Sequence, residues 1–297
     1  MRKVLLGVVA FALALVAWQR IRHSLRPRPG PPSLAALAQA QRVRILRDKW
    51  GVPHVFGQSD ADAAFGLAYA HAEDDWPTIQ GALAAARGQL GLLLSKTAIG
   101  NDYYAQLVRV REQVDEQYGA LPSDYRAVLE GYASGLALYC SLHPDEADGR
   151  LFPISGRDVA AGFVHKIPLM IGMAKVLQAI DGGPERRAGD ALALESIPPG
   201  PYEIIASNEH AVLARRSTDG ITRLNVNSHQ PWEGPVSWYE AQIHSEAGWN
   251  MTGGTFPGAP VILHGHNDHL GWAHTNNAPH QIDVYRLETD DRRPGQA

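Results

Sequence analysis

The apolar residues of this chain change period once, and that change bounds what the chain can fold into. Up to about residue 180 they recur mostly at three- and four-residue steps, whereas beyond Ser207 they tend to alternate. A period near 3.6 marks a helix face and a period of two marks a half-buried strand. A helix-rich first part therefore precedes a strand-rich second part, which makes the class α+β. Residues 181–206 lie between them. They open on Asp181-Gly182-Gly183-Pro184 and close on a Pro/Gly-rich run from Ile197 to Pro201, followed by Tyr202 to Ala206. Glycine and proline at this density end helices and suit a spacer.

Within the first part, Val43–Asp48 reads as a strand, and Lys49 to Val55 as a turn and second strand. Ser59 with Asp62 forms a capping box ahead of a helix whose apolar face runs through Phe65, Ala68, Ala72, Trp76, Ile79 and Leu83. Pro77 is expected to end or kink it, and Arg87–Gly91 to break it. A second helix is expected over Ser123–Leu142, stopped by His143-Pro144, and a third over Val159–Ala179. The third is apolar enough to be core or the wall of an apolar binding site. In the second part, 211–214 and 224–227 flank Asp219-Gly220, a hairpin signal. Further strands are expected at Trp238–His244, Trp249–Gly253, Val261–His264, Leu270–His274 and Ile282–Leu287.

Arg2-Lys3 precedes an apolar run from Val4 to Trp18, which ends in Arg20, Arg22 and His23. The run is short for a bilayer span of about 20 residues and fits a signal-peptide core or an uncleaved N-terminal anchor. Residues 1–32, including the stiff Arg26–Pro32 linker, are thus expected to direct a periplasmic or extracytoplasmic location, with or without a membrane anchor. A net charge of −4 gives no general affinity for nucleic acid. A single cysteine, Cys140, excludes an internal disulfide and a cysteine-rich metal site.

Two sets of residues carry a resemblance. The first is Arg47-Asp48-Lys49-Trp50-Gly51-Val52-Pro53-His54 with Phe65 to Asp74. The second is Ser207-Asn208, Asn225 to His229, Pro257 to Pro260, His264 to Asn267 and Gly271 to Asn276. In this order they resemble the penicillin acylase family of N-terminal nucleophile hydrolases. The resemblance implies an αββα sandwich of two stacked antiparallel sheets between helical layers, with Ser207 starting a central strand. Residues 33–180 correspond to an α-subunit region, 181–206 to the spacer, and 207–297 to the start of a β subunit. Such a precursor is cut between Ala206 and Ser207, giving α and β subunits from one chain; the family commonly has glycine where this chain has Ala206.

The chemistry explains why cleavage matters. A serine hydroxyl is a weak nucleophile without a base. Freed at an N-terminus, Ser207 carries its own base in the α-amine, whose ordinary pKa is about 7.7–8.0. By position relative to Ser207, the resemblance assigns an oxyanion-hole backbone N–H to Asn276 and a side chain supporting the amine and hydroxyl to His229. A second oxyanion asparagine is expected beyond Ala297, so residues 207–297 are expected to be an incomplete β-subunit region and the chain to be inactive as it stands. Apolar residues, among them Met170, Trp232 and Phe256, are expected at an acyl pocket. The expected substrate is a small acyl amide of the N-acyl-homoserine lactone, lipopeptide or penicillin type. No cofactor is required. Calcium sites of the family fall here on Asp283 and His280, and a hard cation wants oxygen ligands, so calcium at Asp283 has weak support.

Two other readings compete. His264, His266, Asp268 and His269 match a zinc-hydrolase motif, H-x-H-x-D-H, able to activate a metal-bound water. A non-catalytic, envelope-anchored binding protein is the third.

Overall fold

A computed structural model describes residues 11, 14 and 18, 27–173 and 207–275. The Ala206 side of the expected cleavage site, Asn276, His280, Asp283 and the expected strand Ile282–Leu287 lie outside these residues, as do the expected spacer 181–206 and most of the apolar N-terminal run. Among the described residues no helix is long and apolar enough to cross a membrane.

The helical part begins with α1 (Leu34–Ala40). Strands β1 (Val43–Arg47) and β2 (Pro53–Gly57) form an antiparallel pair around a turn. Long helix α2 (Asp60–Ala86) starts at the expected box: the Ser59 hydroxyl accepts from the Asp62 N–H, and the Asp62 carboxylate accepts from the Ser59 N–H. Asp62 is buried and also receives two guanidinium N–H groups of Arg42, at 3.0 and 2.8 Å. Helix α2 breaks its regular conformation at Asp75 (φ −151°, ψ 50°), two residues before Pro77. Proline has no N–H to give, and its ring crowds the preceding turn.

Short helices α3 (Leu90–Leu93), α4 (Ile99–Leu107) and α5 (Val110–Gln117) lead to α6 (Ser123–Leu142), whose span is the one expected. Helix α6 lies very close to α2, and two glycines allow it. A Cβ at Gly131 would stand 2.2 Å from the Ala61 carbonyl oxygen, and one at Gly135 would stand 2.2 Å from that of Phe65. Helix α7 (Gly156–Pro168) opens on a second capping box, Ser155 with Asp158, earlier than expected. It also closes sooner than the expected Ala179. Beyond Pro168 the backbone widens into a π-helical turn, Leu169–Met173, with Gly172 at φ 116°.

In the second part, β3 (Ser207–Val212) and β4 (Arg223–Ser228) form the expected hairpin. Strands β5 (Tyr239–Ser245), β6 (Asn250–Thr255), β7 (His264–His266) and β8 (Gly271–Trp272) follow. The third of these expected strands therefore starts at His264 and does not occupy Val261–Leu263. That stretch is a turn, with Ile262 buried and the Val261 carbonyl accepting from Thr255 Oγ1 at 2.6 Å.

The sheet order is β1-β2-β5-β6-β7-β8, and β3-β4 form a separate two-stranded sheet. The larger sheet departs from the purely antiparallel arrangement expected, because β2 and β5 run parallel, with Val55 opposite Ile243. A parallel pair needs a long crossover. Everything between Gly57 and Tyr239 supplies it, so this pair welds the two parts of the chain. Helix α2 covers the sheet, and Val55, Leu67, Trp76, Ile79, Leu136 and Ile243 share one buried core with Tyr132 and Ile262. Glu73 and Asp74 add a polar tie: Arg47 donates to both, at 3.0 and 2.8 Å, and the Tyr239 hydroxyl donates to Asp74 at 2.6 Å. Ser207 does not start a central strand among the described residues, where β3 pairs only with β4.

Candidate active site

Strand pairing sets the first contacts of the site. Ser207 stands opposite Ser228, and Asn208 opposite Asn227. His229 follows directly after β4, so its ring returns to the start of β3. The side-chain amides of Asn208 and Asn227 each lie 3.3 Å from His229 Nε2. With amide N–H groups directed at it, Nε2 acts as acceptor, which puts the ring proton on Nδ1. The other end of the described chain also arrives here. Thr275 Oγ1 donates to the Ser207 carbonyl oxygen at 3.2 Å, across 68 positions of sequence.

His264 joins these pieces. Its Nε2 accepts the backbone N–H of His274 at 3.1 Å, so its Nδ1 carries the proton and donates to Ser228 Oγ at 2.8 Å. One neutral imidazole thus holds the end of β4, strand β7 and the segment running into Thr275. Trp238 lies 4.5 Å from the ring and His274 lies 5.3 Å from it. Burial, and secondly repulsion from His274, pull its pKa down to about 4.

A cavity of about 320 Å³ adjoins this cluster through His274. Phe163, Lys166, Ile167 and Met170 line it from α7 and its continuation, in steps of three and four that put them on one face. Phe256, Gly258, Ala259 and Leu263 line it from the turn between β6 and β7. Phe256 stacks on Trp238 with ring centres 4.3 Å apart. The wall is almost wholly apolar, and its volume is at the small end for ligand pockets. Met170 and Phe256, both expected at an acyl pocket, meet in this cavity. Trp232 is fully exposed and does not line it.

The zinc motif does not assemble. His264 has both ring nitrogens engaged, and Asp268 accepts from Asn250 at 3.2 Å. A tight turn, in which Asn267 Oδ1 accepts the His269 and Leu270 N–H groups, lies between β7 and β8. Among the described residues no three His, Cys, Asp or Glu side chains gather as a metal would require. The sequence shows His264 in that motif and in the family-like run His264 to Asn267, but not as the ring that joins Ser228 to His274. Trp238 lies at the start of a strand pattern, and nothing in its local sequence marks it as a neighbour of His264; Thr275 falls in the family-like run Gly271 to Asn276, but its bond to the Ser207 carbonyl is not in that run.

The penicillin amidase family model matches residues 42–297. Acyl-homoserine lactone acylase PvdQ of Pseudomonas putida is 28% identical, over 95% of this chain and 38% of that protein. Aculeacin-A acylase of Actinoplanes utahensis is 23% identical, over 87% of this chain and 36% of that protein. The chain thus spans little more than a third of the length of these curated relatives. Among solved structures, a thermostable penicillin G acylase from Alcaligenes faecalis is 24% identical, covering 52% of this chain and 90% of that chain at a TM-score of 0.38.

Proposed function

We propose that this chain, which belongs to the penicillin amidase family, is part of an autoprocessed N-terminal serine amidohydrolase that cleaves an aliphatic acyl group from an amide. The observation that carries this is the hydrogen bond from Thr275 to the Ser207 carbonyl, because it brings the segment leading into residue 276 against the proposed nucleophile.

In the proposed reaction the chain cuts itself between Ala206 and Ser207, which yields α and β subunits from one precursor. Before the cut the Ser207 nitrogen is an amide and cannot accept a proton. Afterwards it is an amine whose ordinary pKa is about 7.7–8.0, a useful base near neutral pH. Ser207 Oγ gives its proton to that amine and attacks the substrate carbonyl. The Asn276 N–H and a later asparagine beyond Ala297 receive the oxyanion. The amine then protonates the leaving nitrogen, the C–N bond breaks, and water releases the acid from the ester. His229, held against Asn208 and Asn227, keeps the amine and hydroxyl in place. The chemistry needs no cofactor; a calcium ion at Asp283 would be structural.

The cavity bounded by Met170 and Phe256 takes the acyl chain, and its apolar wall favours an aliphatic one. Acyl-homoserine lactones and acylated cyclic peptides fit this description, and the two relatives are named as acylases, one of acyl-homoserine lactones and one of aculeacin A. The N-terminal run places the protein outside the cytoplasm, by export or anchoring.

The test is a denaturing gel of the full-length protein with N-terminal sequencing. Two bands are expected, with the larger starting at Ser207, and Ser207→Ala should remain a single inactive chain. Wild-type protein that hydrolyses acyl amides while uncut would sink the proposal. A Ser207→Ala variant that retains function would favour a non-catalytic binding role.

A further inference from the structure

Lys166 puts an ammonium group into the wall of an otherwise largely apolar cavity. It is only 8% exposed, on a helix face otherwise made of Phe163, Ile167 and Met170. Its ammonium donates to the Pro257 carbonyl at 2.6 Å. That uses one of three N–H donors. Among the described residues no carboxylate lies within ion-pairing distance of it, and no second acceptor takes a bond from it. The titratable groups that face it are His165 beside it, His71 from α2 and, across the cavity, His274. Burial holds His165 and His71 neutral, so neither adds positive charge, and an imidazole cannot serve as a counter-anion. Burial also brings the Lys166 amine down to about 8, which leaves it mostly charged at neutral pH. A buried cation without a counter-charge is costly, and a neutral side chain such as methionine would fill the same space without that cost.

We propose that Lys166 makes the cavity selective for acyl groups that end in a carboxylate, so that the preferred substrate is a dicarboxylic half-amide over a plain alkanoyl amide. This deepens the amidase reading and rests on it. The apolar wall receives the methylenes, and the free N–H groups of Lys166 receive the terminal carboxylate. The substrate then supplies the counter-charge that no described residue gives at this point.

The experiment compares hexanoyl and hexanedioyl amides of one chromogenic amine, using mature full-length enzyme and its Lys166→Met variant. The wild type should show the higher kcat/KM on the hexanedioyl amide. The substitution should lower the hexanedioyl-to-hexanoyl ratio by about tenfold or more, the worth of one hydrogen bond to a charged group. A ratio unmoved by Lys166→Met, or a wild type that prefers hexanoyl, overturns the proposal and leaves the amidase reading standing. A mature wild type that cleaves neither amide overturns both. Should Lys166→Met fail to fold, wild-type inhibition decides instead: free hexanedioate should inhibit about tenfold more tightly than hexanoate, and equal inhibition overturns the proposal.

Discussion

Replacing His264 with phenylalanine would test whether one imidazole positions the catalytic segment. Phenylalanine keeps the ring against Trp238, now 4.5 Å from it, and deletes both polar contacts. Ser228 Oγ loses its donor and the His274 N–H loses its acceptor. Each neutral hydrogen bond contributes about 0.5–1.5 kcal/mol net, so the pair contributes about 1–3 kcal/mol. The His274 N–H leads directly into Thr275 and residue 276, so the loss should fall on the proposed oxyanion contact at Asn276 and hence on kcat. A cost of that size corresponds to a decrease of about 5- to 150-fold. Ser228→Ala removes only one of the two bonds and should cost less. The assay is kcat and KM of the mature variants on an acyl amide, with a gel to confirm cleavage. A fully matured His264→Phe enzyme with wild-type kcat would refute the positioning role. An independent signature lies in pH. The folded protein lowers the His264 pKa from 6.5 to about 4, so the unfolded chain binds more protons in that window. The contribution is complete above pH 6.5 and is lost as pH falls toward 4. The fall in Tm between those pH values should therefore be shallower in His264→Phe.

Other consequences follow from the fold. Ser59→Ala removes the α2 cap and should cost about 1 kcal/mol, read as a lower denaturation midpoint with unchanged slope. Gly135→Ala drives a methyl group into the Phe65 carbonyl, at 2.2 Å, and should cost at least the roughly 1–3 kcal/mol typical of overpacking; a stable variant would mean that α6 can move off α2. Met170→Ala and Phe256→Ala enlarge the cavity proposed for the acyl chain and should shift kcat/KM toward bulkier acyl groups, whereas Trp232→Ala should leave the preference alone. His71 and His165 are pulled by burial to about 3 and about 4, so both add acid sensitivity below pH 6.5, and His71→Gln should flatten the fall in Tm there.

Features set by neighbours along the chain are legible in the residues alone. The Ser59–Asp62 box, helix Ser123–Leu142 with its stop at His143, the break near Pro77 and the 207–228 hairpin all depend on residues a few positions apart. The end of α7 is not legible in this way, because the apolar run continues past Pro168 while the backbone turns out of the helix at Ile171 and Gly172. Histidines at 264, 266 and 269 suggest a metal because ligand motifs are spacing patterns. The backbone turn at Asn267, and the hydrogen bonds that occupy His264, are not in that spacing.

The sequence by itself determined the α+β class, through periodicity and local capping, and through its resemblance to a family it proposed a spacer near 181–206, Ser207 as nucleophile and His229 at the family distance from it. Only the tertiary structure decided that β2 and β5 run side by side, that Phe256 rather than Trp232 joins Met170, and that Thr275 reaches Ser207. Each of these joins residues dozens to nearly two hundred positions apart. No local pattern encodes such contacts, because burial of the shared core selects them among the many pairings that the same strands and turns permit.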